Sequence, residues 1–453
     1  MKNMMQLKLS TTQKIMFGFL MTILFGSLVL ALPISSATGR AVSYIDALFT
    51  ATTSVCVTGL VTVPTVSTWS VFGQIVILFL IQIGGLGIIT VMSAVMIGLH
   101  KKMGIGDRML IQDAFNLNTL SGLVKFTRKV LIGTFVVEGI GALLYMTVFV
   151  PEYGAKGIWI SVFNSISAFC NAGIDILAED SLCGYALNPV INLTTSLLII
   201  LGGIGYIVWW DVLRVLKQAK QKKWKCFQLL TLQSKLAISV SGGLLLAGTV
   251  LFFIFEYHNP MTIAEYSLLD KLQVAFFQSV TTRTAGFATV PQQNLTNASA
   301  IVSLLLMFIG GSPVGTAGGI KTVTIMVLIA SAYATITNKE DVVLFGRTIS
   351  KQAISKAVAV VSVSFIVMFV STVLLAAVTD ASAIDIAYET VSATATVGLT
   401  RNLTSTLNLW GRLIIISTMY LGRVGPISLL VAFNTKKEKK NIIKNPTEEI
   451  SVG

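Results

Sequence analysis

Residues 392–400 read SATATVGLT. The stretch is uncharged, built mostly from small and hydroxyl-bearing residues, and turns on a glycine, Gly398. Three earlier glycines close runs of the same character: Gly59 in TTSVCVTGL, Gly173 in SISAFCNAGI and Gly286 in SVTTRTAGF. Their spacings are 114, 113 and 112 residues, too regular for chance even in a chain with 37 glycines. Two further registers agree with a fourfold internal repeat. Ten residues before each glycine stands an aromatic (Phe49, Phe163, Phe276, Tyr388), and one residue after it a large apolar side chain (Leu60, Ile174, Phe287, Leu399). The small and polar residues between aromatic and glycine fit a short amphipathic helix that leads into an extended loop. A second, helix-breaking glycine cluster recurs 25, 29, 24 and 24 residues on: GGLG from Gly84, GGIG from Gly202, GGSPVG from Gly310 and GRVG from Gly422. Each unit therefore reads as span, half-helix, loop and second span. Close packing between helices explains Gly84, Gly85, Gly202 and Gly203.

The composition supplies the setting. Of 453 residues, 54% are hydrophobic and 12% charged, and the mean hydropathy is +0.80, far from a soluble domain. Apolar runs of roughly 20 residues, enough to cross a bilayer, lie at 15–32, 71–98, 130–150, 190–213, 236–257, 300–333, 357–379 and 409–433. The expected fold is an all-α polytopic membrane protein of eight spans and four re-entrant half-helices. The units fall at 1–120, 121–232, 233–345 with a broken second span, and 346–435, followed by a basic tail at 436–453. The first run lacks a small-residue cleavage site and is read as a retained helix, not a signal peptide.

The net charge of +13 does not point to nucleic acid, because the basic residues alternate along the chain. They crowd the N-terminus (Lys2, Lys8, Lys14) and every second connection: Lys101 to Lys129, Arg214 to Lys235, Lys339 to Lys356, and the tail from Lys436. By the positive-inside rule these face the cytoplasm, with both termini. The other connections carry the acids, among them Asp46, Glu152, Asp175, Glu179, Asp180, Asp270 and Asp385, so the outer face attracts cations. Four cysteines, two of them in apolar segments, indicate no disulfide framework.

A bare ion in a bilayer needs oxygen ligands in place of its water, and rings of backbone carbonyls supply them in potassium channels. Pointing successive carbonyls one way demands backbone angles that glycine visits freely. Irregular backbone at membrane depth must be buried or line a watery cavity, so four such loops face one shared axis within a single chain.

On the four glycines, the TTRTAGF form of the third loop, GGSPVGTAGGIKT at 310–322 and GRVGP at 422–426, the chain resembles the Trk/Ktr/HKT superfamily of potassium transporters. The resemblance runs from about residue 10 to 435. It is closest to the shorter Ktr-type membrane subunit, since the extra N-terminal span pair of Trk-type subunits is missing. It implies a homodimer with one pore per subunit in a bacterial cell membrane, a cytoplasmic nucleotide-binding ring as partner, and sodium-stimulated potassium uptake. The filter residues it implies are Val57, Thr58 and Gly59; Asn171, Ala172 and Gly173; Thr284, Ala285 and Gly286; Thr396, Val397 and Gly398. Glycine in all four loops favours potassium over sodium, whereas only the fourth loop reads Thr-Val-Gly, which implies weaker selectivity than a strict channel. A sodium-conducting member of the same fold is the alternative; a carrier of another solute fits less well, since such carriers show twofold repeats.

The remaining motifs carry little chemistry. GTAGGIKT at 315–322 lacks the glycine before lysine that a phosphate-binding loop needs. No nucleotide or other cofactor is expected on this chain. His100 and His258, the only histidines, have no metal-ligand spacing, and no nucleophile or acid cluster suggests an enzyme. Glu138, an acid inside a span, is a functional candidate by default, with a hydrogen bond inside the bundle as the competing role. Arg283 is expected behind the third loop, bracing it against an acid such as Glu389. Arg423 lies about 14 residues into the last span, roughly 21 Å along it. The resemblance makes it an electrostatic barrier in the pore, against snorkelling to the surface. The stretch 310–319, with Gly310, Gly311, Ser312, Pro313, Gly315, Thr316, Gly318 and Gly319, cannot continue a helix cheaply: interior glycine costs about 1 kcal/mol and proline about 3. It is expected to form an intramembrane gate loop ending at Lys321.

Overall fold

The structure is a computed structural model that describes residues 11–98, 123–222 and 226–425. The basic N-terminal residues Lys2 and Lys8, Lys101 to Arg108, His100 and the tail at 436–453 lie outside the described residues.

Each unit opens with a long apolar helix: α1 (Thr11–Leu30), α5 (Leu123–Tyr153), α9 (Leu232–Glu256) and α13 (Lys351–Ala376). Among the described residues these four are the continuous helices long and apolar enough to cross a membrane. A short helix follows in each unit: α2 (Tyr44–Cys56), α6 (Ala155–Cys170), α10 (Leu268–Thr281) and α14 (Ala383–Ala395). The aromatics that mark the repeat anchor these helices, with Phe49, Phe163 and Tyr388 fully buried.

The first three second spans are broken at their glycine clusters, as expected of the third. The first is α3 (Val71–Leu86) and α4 (Ile88–Gly98); the second, α7 (Pro189–Ile204) and α8 (Tyr206–Lys222), bends by 97°. The third is α11 (Asn297–Phe308) and α12 (Thr322–Ile336), and the fourth, α15 (Leu409–Val424), is described as far as Gly425. The breaks in the first two fall on Gly87 and Gly205, with φ of 82° and 94°, and α15 ends on Gly425, with φ of 88°, angles that a side chain disfavours. Each α3, α7, α11 and α15 begins on a polar cap, Ser70, Asn188, Thr296 and Asn408, whose side chain accepts from a main-chain N–H of the first turn.

The four units close into a ring. The second span of each packs on the short helix of the next: α3 on α6, α7 on α10, α11 on α14, and α15 back on α2. A 2.6 Å ion pair between Arg412 of α15 and Asp46 of α2 ties that last seam. Within lipid, apolar burial gives helices little reason to associate, so packing and hydrogen bonds across seams carry the assembly.

Candidate functional site

The four loops after α2, α6, α10 and α14 meet at one axis. Their glycines all have positive φ: 101° at Gly59, 62° at Gly173, 82° at Gly286 and 98° at Gly398. A Cβ added at Gly59 would stand 2.6 Å from the oxygen of Ala172, at Gly173 2.5 Å from that of Ala285, and at Gly286 2.6 Å from that of Val397. At Gly398 it would collide with the oxygen of Thr58, which closes the circle. Each glycine therefore abuts the carbonyl that precedes the next glycine, in the order of the units.

Two residues before each glycine the backbone is also left-handed, at Val57 (φ 55°), Asn171 (60°), Thr284 (68°) and Thr396 (50°). Three of these are β-branched, for which such angles are true outliers. Strain of this kind, on the order of 1–3 kcal/mol per residue, is kept where the surroundings enforce it, typically at functional sites. The enforcing contacts are visible. The N–H groups of Thr58, Ala172, Ala285 and Val397 donate back into their short helices, to the oxygens of Thr53, Ser167, Thr281 and Ser392. Hydroxyls hold further donors in three of the loops: Gly59 N donates to Thr53 Oγ1 at 2.9 Å, Gly398 N to Ser392 Oγ at 3.0 Å, and, one residue beyond the glycine, Ile174 N to Ser167 Oγ at 3.2 Å. With the donors engaged on the outside, the carbonyls of Thr58, Ala172, Ala285 and Val397 accept no hydrogen bond among the described residues. Sequence reasoning noted the hydroxyl-rich character of these runs and missed this anchoring, whose signal was a Ser or Thr six residues before three of the glycines.

The ring separates two cavities. The outer one, about 400 Å³, is lined by all four glycines and by Asp175, Glu179 and Asp180. Asp175 lies in the connection that follows the second loop, where burial pushes its carboxyl up to about 6 against hydrogen bonds from Ser181, Leu177 and Ala178. The inner cavity, about 520 Å³, is lined by Gly84, Thr394, Gly318, Lys321 and Arg423 among others.

The stretch that was expected to interrupt the third second span does so between Phe308 and Thr322, and it lies against the inner side of the ring. Ser312 N and Thr316 N donate to the oxygens of Gly203 and Gly202 at 2.9 and 3.1 Å, and Tyr206 N donates to Val314 O at 3.0 Å. The Thr316 hydroxyl is 3.0 Å from both Phe169 O and Asn171 Oδ1. Gly318 packs against Thr396, leaving no room for a Cβ. Lys321 folds back on its own loop, donating to Ala317 O at 2.7 Å. Arg423 reaches across the cavity to Thr316 O (2.8 Å) and Gly84 O (2.5 Å), so it does not extend towards the surface.

Arg283 stands behind the third loop, but without an acid: it donates to Ser241 Oγ at 3.1 Å and Gly310 O at 3.2 Å. Glu389 accepts instead from Thr400 and Thr404, hydroxyls of its own unit. Glu138 is buried away from both cavities, held by Gln82.

Residues 7–445 match the model of the TrkH family, described as cation transport proteins. The chain is 39% identical over 459 residues to the potassium/sodium uptake protein NtpJ of Enterococcus hirae, covering 100% of this chain and 99% of that one. It is 39% identical over 444 residues to the Ktr system potassium uptake protein B of Bacillus subtilis, covering 97% and 96%. The namesake in Vibrio alginolyticus is 34% identical, covering 97% and 94%. The crystal structure of the potassium transporter TrkH from Vibrio parahaemolyticus superposes with a TM-score of 0.70 over 96% of this chain and 87% of that one, at 17% identity, a likeness of fold. The chain therefore belongs to the TrkH family of cation transport proteins, a family of multi-pass membrane transporters and not of enzymes.

Proposed function

We propose that this chain is the ion-conducting membrane subunit of a potassium uptake system. One observation carries the reading: four strained loops present a ring of unpaired main-chain carbonyls, those of Thr58, Ala172, Ala285 and Val397, between two cavities. Such a ring can replace the hydration shell of a potassium ion. The acids of the outer cavity gather cations, and the names of the relatives agree with potassium as cargo. The stretch from Gly310 to Lys321 is the gate, closing the path below the filter, and Arg423 adds a fixed positive charge there. Potassium is substrate; sodium stimulates its passage. The working form is a homodimer in the cell membrane, termini inside, on a cytoplasmic nucleotide-binding ring; the Ktr system names of two relatives agree with a membrane subunit that works with other components.

The test is growth of potassium-uptake-deficient bacteria at limiting potassium, with this chain expressed alone and with a ring subunit. Rescue that needs the ring supports the reading, and no rescue in either case overturns it. Shortening the loop at 310–319 should give higher, ring-independent flux; loss of transport in a normally assembled protein would assign the loop to packing. A sodium-conducting reading has support in the name of the Enterococcus relative and in the three loops that depart from Thr-Val-Gly. Competition of sodium against potassium uptake separates the two.

A further inference from the structure

Glu138 has no place in the ion path, yet it touches the second loop's support from two sides. It lies midway along α5 and is 4% exposed. Gln82 of α3, in the preceding unit, donates from Nε2 to both carboxylate oxygens, at 3.1 and 3.3 Å. The thiol of Cys170, the last residue of α6, is 3.6 Å from Gln82 Oε1 and 3.9 Å from Glu138 Oε1. The next residue is Asn171, where the backbone turns left-handed to open the loop. Further back on α6, Ser165 Oγ donates to the main-chain oxygen of Glu138 at 2.6 Å. Two glycines make this approach possible. A Cβ at Gly85 would stand 2.5 Å from Cys170 Sγ, and one at Gly141 2.5 Å from Ser165 Oγ.

The arrangement belongs to the second unit alone. At the register of Glu138, 35 residues before the glycine, the other units carry Leu24, Leu251 and Val363. At the register of Cys170 they carry Cys56, Arg283 and Ala395, and of these Arg283 has its own polar clasp to Ser241 and Gly310. A ring of four unlike loops has no symmetry to set the height of each carbonyl, so each loop must be fixed by what stands behind it.

We propose that Glu138 is a positioning residue for the filter: through Gln82 and Cys170 it fixes where α6 ends, and so where the oxygens of Asn171 and Ala172 stand. The role is that of a hydrogen-bonding brace, and a carbonyl displaced by a fraction of an ångström changes the fit to potassium relative to sodium. The proposal rests on the potassium-filter reading above.

The experiment measures the KM and Vmax of potassium uptake, inhibition by sodium, and the amount and melting temperature of the extracted protein, with the full chain and its ring partner. Glu138→Ala should raise KM several-fold and weaken the preference for potassium, with Vmax per folded transporter unchanged. Glu138→Gln, which keeps two hydrogen-bonding atoms, should restore both. Cys170→Ala should reproduce the defect, and combining it with Glu138→Ala should add nothing, as expected of two residues in one network. Should Glu138→Ala not fold, Glu138→Gln and Cys170→Ala decide. The proposal falls if the folded alanine variants keep wild-type KM and ion preference, if losses track only the amount of folded protein, or if Glu138→Gln is as defective as alanine. Uptake by the unaltered chain without preference for potassium would overturn the filter reading, and this proposal with it.

Discussion

The guanidinium of Arg423 donates to the main-chain oxygen of Thr316 at 2.8 Å, so the last span and the broken third one are tied together across the cavity below the loops. The same side chain holds Gly84 O of the first unit. One residue thus supplies both a positive charge and a strap on the proposed gate. Arg423→Ala removes both, and flux per folded transporter should rise. Rubidium uptake normalised to membrane protein checks this; unchanged or lower flux in a correctly assembled variant refutes the barrier role.

Replacing a loop glycine should damage selection before it damages folding. Serine at Gly173 would bring its Cβ to 2.5 Å from Ala285 O, and at Gly59 to 2.6 Å from Ala172 O. The positive φ adds a backbone cost of about 1–3 kcal/mol. Potassium affinity should fall roughly tenfold, since each 1.4 kcal/mol is one decade. Uptake kinetics on the serine variants at 59, 173, 286 and 398 test it. Four variants with unchanged affinity and sodium discrimination would remove the assignment.

How much of this was legible follows from which constraints act locally. Gly398 and its three counterparts could be found because a positive φ and a carbonyl at contact distance admit one residue type, repeated in every unit. The break from Gly310 to Lys321 was legible because Pro313 and its neighbours cannot sustain a helix. Gly87 and Gly205 were harder: glycines in the clusters GGLG and GGIG serve close packing as well as a break, so the clusters marked the place and not the angle, 97° in the second unit. The partners of Arg283 were not legible. Ser241 and Gly310 lie 42 and 27 residues away, and a buried guanidinium is satisfied by carbonyls and hydroxyls as well as by the acid that charge pairing suggests.

Outer pH should modulate uptake through Asp175. Burial raises this carboxyl from its ordinary 3.8 to about 6, with the nearby charge of Asp180 adding to the push. Above about 6 it contributes a negative charge to the mouth; as pH falls through 6 that charge is lost. One charge there is worth about 1 kcal/mol, so KM for potassium should rise roughly fivefold between pH 7 and 5. The sign of the stability effect is opposite: a carboxyl that binds its proton more tightly when folded adds stability as pH falls through 6, so this group's titration cannot cause the loss by unfolding. Asp175→Asn should show the higher KM at pH 7 and lose the dependence, and a variant that retains the wild-type pH profile would assign it to another group.

Thr316 should set how firmly the gate rests on the filter. Its hydroxyl has one proton and two oxygens at 3.0 Å, Phe169 O and Asn171 Oδ1; with the proton on Phe169 O, the Asn171 amide turned to donate satisfies the hydroxyl oxygen as well, and its otherwise unpaired nitrogen gains a partner. Thr316→Val keeps the shape and leaves those buried groups without their partner in the closed state, at a cost of about 1–3 kcal/mol. The closed-to-open ratio should therefore fall about 5- to 150-fold, giving uptake that no longer depends on the ring subunit. Thr316→Ser retains the hydroxyl and should behave like the unaltered chain. Flux measured with and without the ring decides: valine and serine variants that are equally partner-dependent would mean that the loop is held by its main-chain bonds to Gly202 and Gly203 and by Arg423, with the hydroxyl contributing nothing to gating.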